Sequence, residues 1–101
     1  MLIMTHSKRD AVSATRQITI VNQLGLHARP AAQFVRRANS FRAEIWIVTN
    51  AGRFSALSLI DVMRANLDCG TVATLEAHGS DAEEAVERLA KLVQELPDYD
   101  D

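Results

Sequence analysis

The chain has one cysteine, two prolines and four glycines among 101 residues, and only 5% of it is aromatic. A single thiol, Cys69, excludes an internal disulfide framework and fits a reducing compartment, so a cytoplasmic location is expected. No apolar run approaches the ~18 residues of a membrane span, and no membrane insertion is expected. There is no glycine-rich, nucleotide-cradling loop and hence no sign of ATP use. No pair of His, Cys, Asp or Glu has metal-ligand spacing, and neither a metal nor another cofactor is expected. With a formal net charge of −2, and no aromatics interleaved with the arginines, nucleic acid is not an expected partner. Residues 1–10 lack an apolar core behind a basic stretch and do not read as a secretory signal. The expected organisation is a flexible leader over 1–14, one domain over 15–97 and an acidic tail over 98–101.

What is present reads as one two-layer globular domain: 48% hydrophobic and 24% charged residues are ordinary for that class. A strand is expected near Arg16–Val21, then a helix from about Ala28 to Asn39. A second strand over Ala43–Thr49 is apolar on both faces, and Asn50-Ala51-Gly52 should close a hairpin onto Arg53–Ala56. A short helix runs from Ser58 to about Asn66, ended by Asp68-Cys69-Gly70 with Gly70 left-handed. A last strand covers Thr71–Ala77. Ser80-Asp81-Ala82-Glu83 reads as a capping box opening the clearest helix of the chain. Its stripe of Ala82, Ala85, Val86, Leu89, Leu92, Val93 and Leu96 recurs at spacings of 3 and 4, and Pro97 stops it. The order β-α-β-β-α-β-α points to an α+β fold, a four-stranded antiparallel sheet with all helices on one face.

The segment Gly25-Leu26-His27-Ala28-Arg29-Pro30-Ala31-Ala32 carries the chemistry. It joins the first strand to the first helix, so His27 falls at or beside the helix N-cap. A helix start leaves amides unused and carries the positive end of the dipole, which makes it an anion site. An imidazole titrates near pH ~6.5, so near neutrality much of it is unprotonated and nucleophilic. Amides of Ala28 and Arg29 and the Arg29 guanidinium would neutralise a phosphoryl group carried on that ring. Pro30 has no N–H to leave unsatisfied in the first turn, and Gly25 permits the tight approach. A lone histidine before a helix is, in general, simply a capping residue; the surrounding motif decides otherwise.

This motif resembles the active-site signature of the HPr family, the histidine phosphocarrier proteins of the bacterial phosphoenolpyruvate-dependent phosphotransferase system. The resemblance runs from about Thr15 to Leu96. It implies an HPr-like open-faced β-sandwich and a carrier, not an enzyme. His27 would receive a phosphoryl group, on Nδ1 by family resemblance, from an enzyme I-type phosphotransferase and pass it to IIA-type proteins in sugar uptake or its regulatory, nitrogen-type branch. A second match, Ser58-Leu59-Ile60, falls where the family has a regulatory serine, which would bring in a serine kinase. Against that, Ser58-Leu59-Ile60-Asp61 is itself a capping box, and Asp61 would repel a phosphate on Ser58. Gln33, Arg36, Leu59, Ile60 and Met63 are implied as contacts for partner proteins, and the protein is expected to be a monomer. Asp61, Arg64 and Asn66 depart from common family patterns, which would suit a paralogue serving a regulatory system. Two rivals stand beside the carrier: a regulatory binding module controlled by phosphorylation at His27 or Ser58, and a phosphohydrolase, for which no second base is evident.

Charge is unevenly distributed. Up to Arg64 there are nine Lys or Arg and three Asp or Glu; beyond it there are two and ten. The first helix holds Arg29, Arg36 and Arg37, so acidic partners steered to the His27 side are expected, unless these are simply solvated faces.

Overall fold

A computed structural model describes residues 12–97, and the acidic tail over 98–101 lies outside the described residues, as does His6. In chain order the elements are β1 (Ser13–Thr19), α1 (Ala28–Ala38), β2 (Glu44–Thr49), β3 (Gly52–Ser55), α2 (Leu59–Arg64), β4 (Val72–His78) and α3 (Ala82–Glu95). The strands form one sheet in the order β1-β4-β2-β3, and each neighbouring pair is antiparallel. One hydrophobic cluster joins Ile18, Ile45, Ile47, Ala73, Leu75 and Ala77 of the sheet to Phe34 of α1, Val62 of α2 and Leu89 and Val93 of α3. These strand residues alternate with exposed or half-buried ones, so the helices share one face of the sheet, as the element order implied.

Four local features differ from the sequence expectation. β1 starts at Ser13 instead of Arg16. Its inward positions there are Ala14 and Arg16, too small or too polar to register as an apolar pattern, and pairing such as Ser13↔His78 supplies the strand. Helix α2 ends at Arg64, and the residue that turns the chain away is Asn66 at φ 56°, not Gly70. Asn tolerates the left-handed region because its short amide can bond locally. Gly70 (φ 90°) serves the following turn, its N–H donating to the Ile20 carbonyl at 2.8 Å.

The N-cap of α3 is Asp81, not Ser80, and its carboxylate does not cap the helix. It accepts instead from the backbone N–H groups of Arg42 and Ala43, each at 2.9 Å, which clamps the α1–β2 connection to the start of α3. Beside it, a Cβ on Gly79 would lie 2.8 Å from Ala43 Cα. Finally, the β2–β3 register pairs Thr49 with Gly52, so the hairpin loop is Asn50-Ala51 alone.

The second apolar face of β2 has a simple explanation. Trp46 lies on the open side of the sheet under the Arg53 guanidinium, 4.1 Å from the ring centroid. Arg53 in turn donates to Glu76 Oε1 from Nε at 3.1 Å and Nη2 at 2.8 Å. A cross-strand cation thus covers an aromatic that the helices do not reach.

Candidate functional site

The approach to α1 is built from a turn. Gly25 N–H donates to the Asn22 carbonyl at 2.9 Å, and Leu26 N–H donates to the Leu67 carbonyl at 2.9 Å. Gly25 sits at φ +73°, and a Cβ there would stand 2.6 Å from the Leu67 carbonyl oxygen. Only glycine lets the chain run this close to the segment after α2. Leu26 then buries its side chain, and the next residue, His27, is the N-cap.

His27 has extended backbone (φ −84°, ψ −165°), and its side chain makes no capping hydrogen bond. The first bond within α1 runs from Ala31 N–H to the His27 carbonyl at 2.9 Å. The amides of Ala28 and Arg29 are therefore not used within the helix, and Pro30 has none to use. No acidic residue stands in the first turn, so nothing there offsets the positive end of the helix dipole. The imidazole is half-buried. Its Nε2 is closed off from solvent with no hydrogen-bond partner. The ring borders a cavity of about 180 Å³ shared with Leu24, Leu26, Met63, Asn66, Leu67 and Asp68. Ala28 and Arg29 are exposed beside it.

The expected partner contacts separate into two groups. On α2, Leu59, Ile60 and Met63 are 41%, 70% and 44% exposed, and Met63 lines the His27 cavity. Gln33 and Arg36 instead border a depression between α1 and α3, with Arg37, Ser40 and Leu92. Two residues were not anticipated. Leu24 is 60% exposed and lines the His27 cavity; an apolar residue in an otherwise polar turn was the available signal. Asn22 is 3% exposed, and its Nδ2 donates to the carbonyls of Leu96 at 2.9 Å and Pro97 at 3.3 Å. Nothing in the local pattern marks it, because both acceptors lie at the far end of the chain.

Ser58 is the N-cap of α2, with Oγ accepting from Asp61 N–H at 3.3 Å. The Asp61 carboxylate does not reach back to complete the box and lies 3.5 Å from Arg64 Nη1. Cys69 is exposed, and His78 ends β4 with Nε2 3.5 Å from Glu76. Among the described residues no three His, Cys, Asp or Glu side chains are grouped to hold a metal ion. No helix among them is long and apolar enough to cross a membrane.

Comparison with known proteins identifies the family. Residues 14–95 match the family model described as the PTS HPr component phosphorylation site. The phosphocarrier protein HPr of Vibrio cholerae is 44% identical over 81 residues, which cover 80% of this chain and 95% of the relative. The HPr-like protein Crh of Bacillus subtilis is 38% identical over 80 residues, covering 79% and 94%. A crystal structure of HPr from Bacillus anthracis superposes with a TM-score of 0.78 at 38% identity, covering 82% of this chain and 99% of that one. On fold and sequence together, the chain belongs to the HPr family, the phosphocarrier proteins of the phosphotransferase system.

Proposed function

We propose that His27 is the residue that carries the phosphoryl group, taking it from an enzyme I-type phosphotransferase charged by phosphoenolpyruvate and giving it to a histidine of a IIA-type protein. The observation that carries this reading is the half-buried imidazole at the N-cap of α1, with no capping bond of its own. Closure of Nε2 from solvent supports Nδ1 as the attacking nitrogen. In the first transfer the Nδ1 lone pair forms the N–P bond as the donor's bond to phosphorus breaks. In the second the carrier's N–P bond breaks as the acceptor nitrogen attacks. Amides of Ala28 and Arg29 and the Arg29 guanidinium stabilise the charge on the three oxygens in both directions.

Met63 and Leu24 beside the imidazole, with the exposed Leu59 and Ile60 of α2, suit weak, fast exchange between donor and acceptor, and Gln33 and Arg36 offer a separate contact on the α3 side of α1. The basic residues of α1 favour acidic docking surfaces through steering. The protein acts in the cytoplasm, as a monomer. Incubation with enzyme I and labelled phosphoenolpyruvate should label the parent protein at an acid-labile site and leave His27→Ala unlabelled. Label retained in that variant would sink the proposal.

A second reading, a regulatory module switched by phosphate on His27 or on Ser58 through a serine kinase, is supported by similarity to Crh, the catabolite repression HPr of Bacillus subtilis. Phosphorylation at Ser58 would convert a capping hydroxyl at a helix start into an anion next to Asp61. Affinity capture with and without phosphate at each site separates this module from the carrier.

A further inference from the structure

We infer that Asn22 is a positioning residue for His27, holding the turn that delivers the imidazole by tying it to the C-terminal end of α3. The inference rests on His27 being the phosphoryl acceptor and adds a residue to that site. Asn22 is the buried polar residue of the described core, at 3% exposure. Burying an amide side chain is unfavourable unless its groups are bonded. Here Nδ2 is bonded twice, to Leu96 and Pro97 carbonyls 74 and 75 residues away, whereas Oδ1 is buried with no partner. A residue kept inside at that cost, in a turn and not in a strand or helix, must fix something an apolar side chain would not.

What it fixes is the start of a short chain of contacts. The Asn22 carbonyl accepts from Gly25 N–H at 2.9 Å, and Leu26 N–H is held by Leu67 at 2.9 Å. Gly25 can lie against Leu67 and Asp68 only in its left-handed conformation. His27 follows directly and makes no side-chain cap bond that would orient it independently. The strand end before the turn is held at Ile20 by backbone bonds with Gly70 and Thr71, and the turn itself is pinned to the end of α3 through the Asn22 amide and to the segment after α2 through Leu26. Releasing the α3 end lets residues 22–25 shift as a unit, and the imidazole shifts with them relative to the Ala28 and Arg29 amides. Displacement on the order of 1 Å is enough to cost ~100-fold in transfer rate.

The test compares Asn22→Ala and Asn22→Ser with the full-length parent and with Val93→Ala, which removes buried volume from the same helix while keeping the Asn22 amide. Labelling by enzyme I and phosphoenolpyruvate is followed over a range of carrier concentrations, below the melting temperature of every variant. The expected result is a maximal rate lowered at least ~10-fold in both Asn22 variants, with a smaller change in the half-saturating concentration, because Leu59, Ile60 and Met63 are untouched and only Leu24 of the docking surface moves with the turn. Val93→Ala should keep the parent rate. The inference is overturned if the Asn22 variants label within twofold of the parent, if Val93→Ala slows transfer equally, if only the half-saturating concentration rises, or if neither Asn22 variant folds. Label on His27→Ala in the same assay would instead remove the acceptor assignment beneath it.

Discussion

Single residues of this chain show how one atom can decide a conformation. At Gly25 the φ of +73° and the 2.6 Å gap between an added Cβ and the Leu67 oxygen leave a methyl group no place. Gly25→Ala should lower stability by about 1–3 kcal/mol, read from urea unfolding, and should slow labelling of His27 as well. Glu76 illustrates an electrostatic case. The Arg53 guanidinium bonded to it holds its carboxyl below the usual carboxylate range, with a smaller contribution in the same direction from His78 and partial opposition from burial. A carboxyl with a lowered folded-state pKa contributes stability above its ordinary range, and loses it as pH falls through the lowered value. Arg53→Met should therefore destabilise at neutral pH and matter progressively less under acid. Because the Arg53 and Glu76 side chains are 49% and 29% exposed, the ion pair contributes at most ~1 kcal/mol. Urea midpoints of parent and variant across an acid series measure the difference; a gap that widens on acidification would contradict this assignment.

Elements are shaped by what lies against them more than by their own residues. Helix α2 has six residues, Leu59–Arg64, and only Val62 among them is buried. So short a helix is not stable by itself. It is held by the Ser58 cap, by burial of Val62, and by Ala65 and Leu67 just beyond. Its remaining apolar residues face outward, which makes the element suited to meeting partners. Ile60, 70% exposed, is the cleanest probe. Ile60→Asp should leave the thermal melt within ~0.5 kcal/mol of the parent while raising the carrier concentration needed for half-maximal labelling by enzyme I. Should that concentration stay unchanged, α2 is not part of the docking surface. Helix α3 shows the converse. Its stripe was legible because it packs along a face at regular spacing, yet its Asp81 cap was diverted to Arg42 and Ala43, a use no local motif reports.

For the molecule as a whole, one core joins the sheet to all three helices, so a cavity anywhere in it lowers the stability of the whole domain. Phe34 is fully buried in α1, on the face opposite the exposed arginines. Phe34→Ala should cost about 3–5 kcal/mol, visible as a large shift in the denaturation midpoint, without removing any group proposed to touch phosphate. Phosphoryl transfer measured on the fraction still folded should be slowed less than tenfold. A complete loss in folded material would mean that the core tunes the site more tightly than its geometry indicates.

The order of elements, the antiparallel sheet with helices on one face, the Ser58 cap and the place of His27 were all set by local information. Apolar spacing in α3, turn residues at Asn50 and Gly52, and the Gly25–Ala32 motif each act within a few residues, and local physics suffices to read them. The start of β1 at Ser13, the exit of α2 at Asn66, the clamp by Asp81 and the buried Asn22 were decided only by the tertiary structure. Three of them depend on a partner distant in the chain: His78 for Ser13, residues 42 and 43 for Asp81, and residues 96 and 97 for Asn22. Such partners satisfy backbone and amide groups that a sequence read in short windows leaves unassigned, because a hydrogen bond is chosen by proximity in space and not by spacing along the chain.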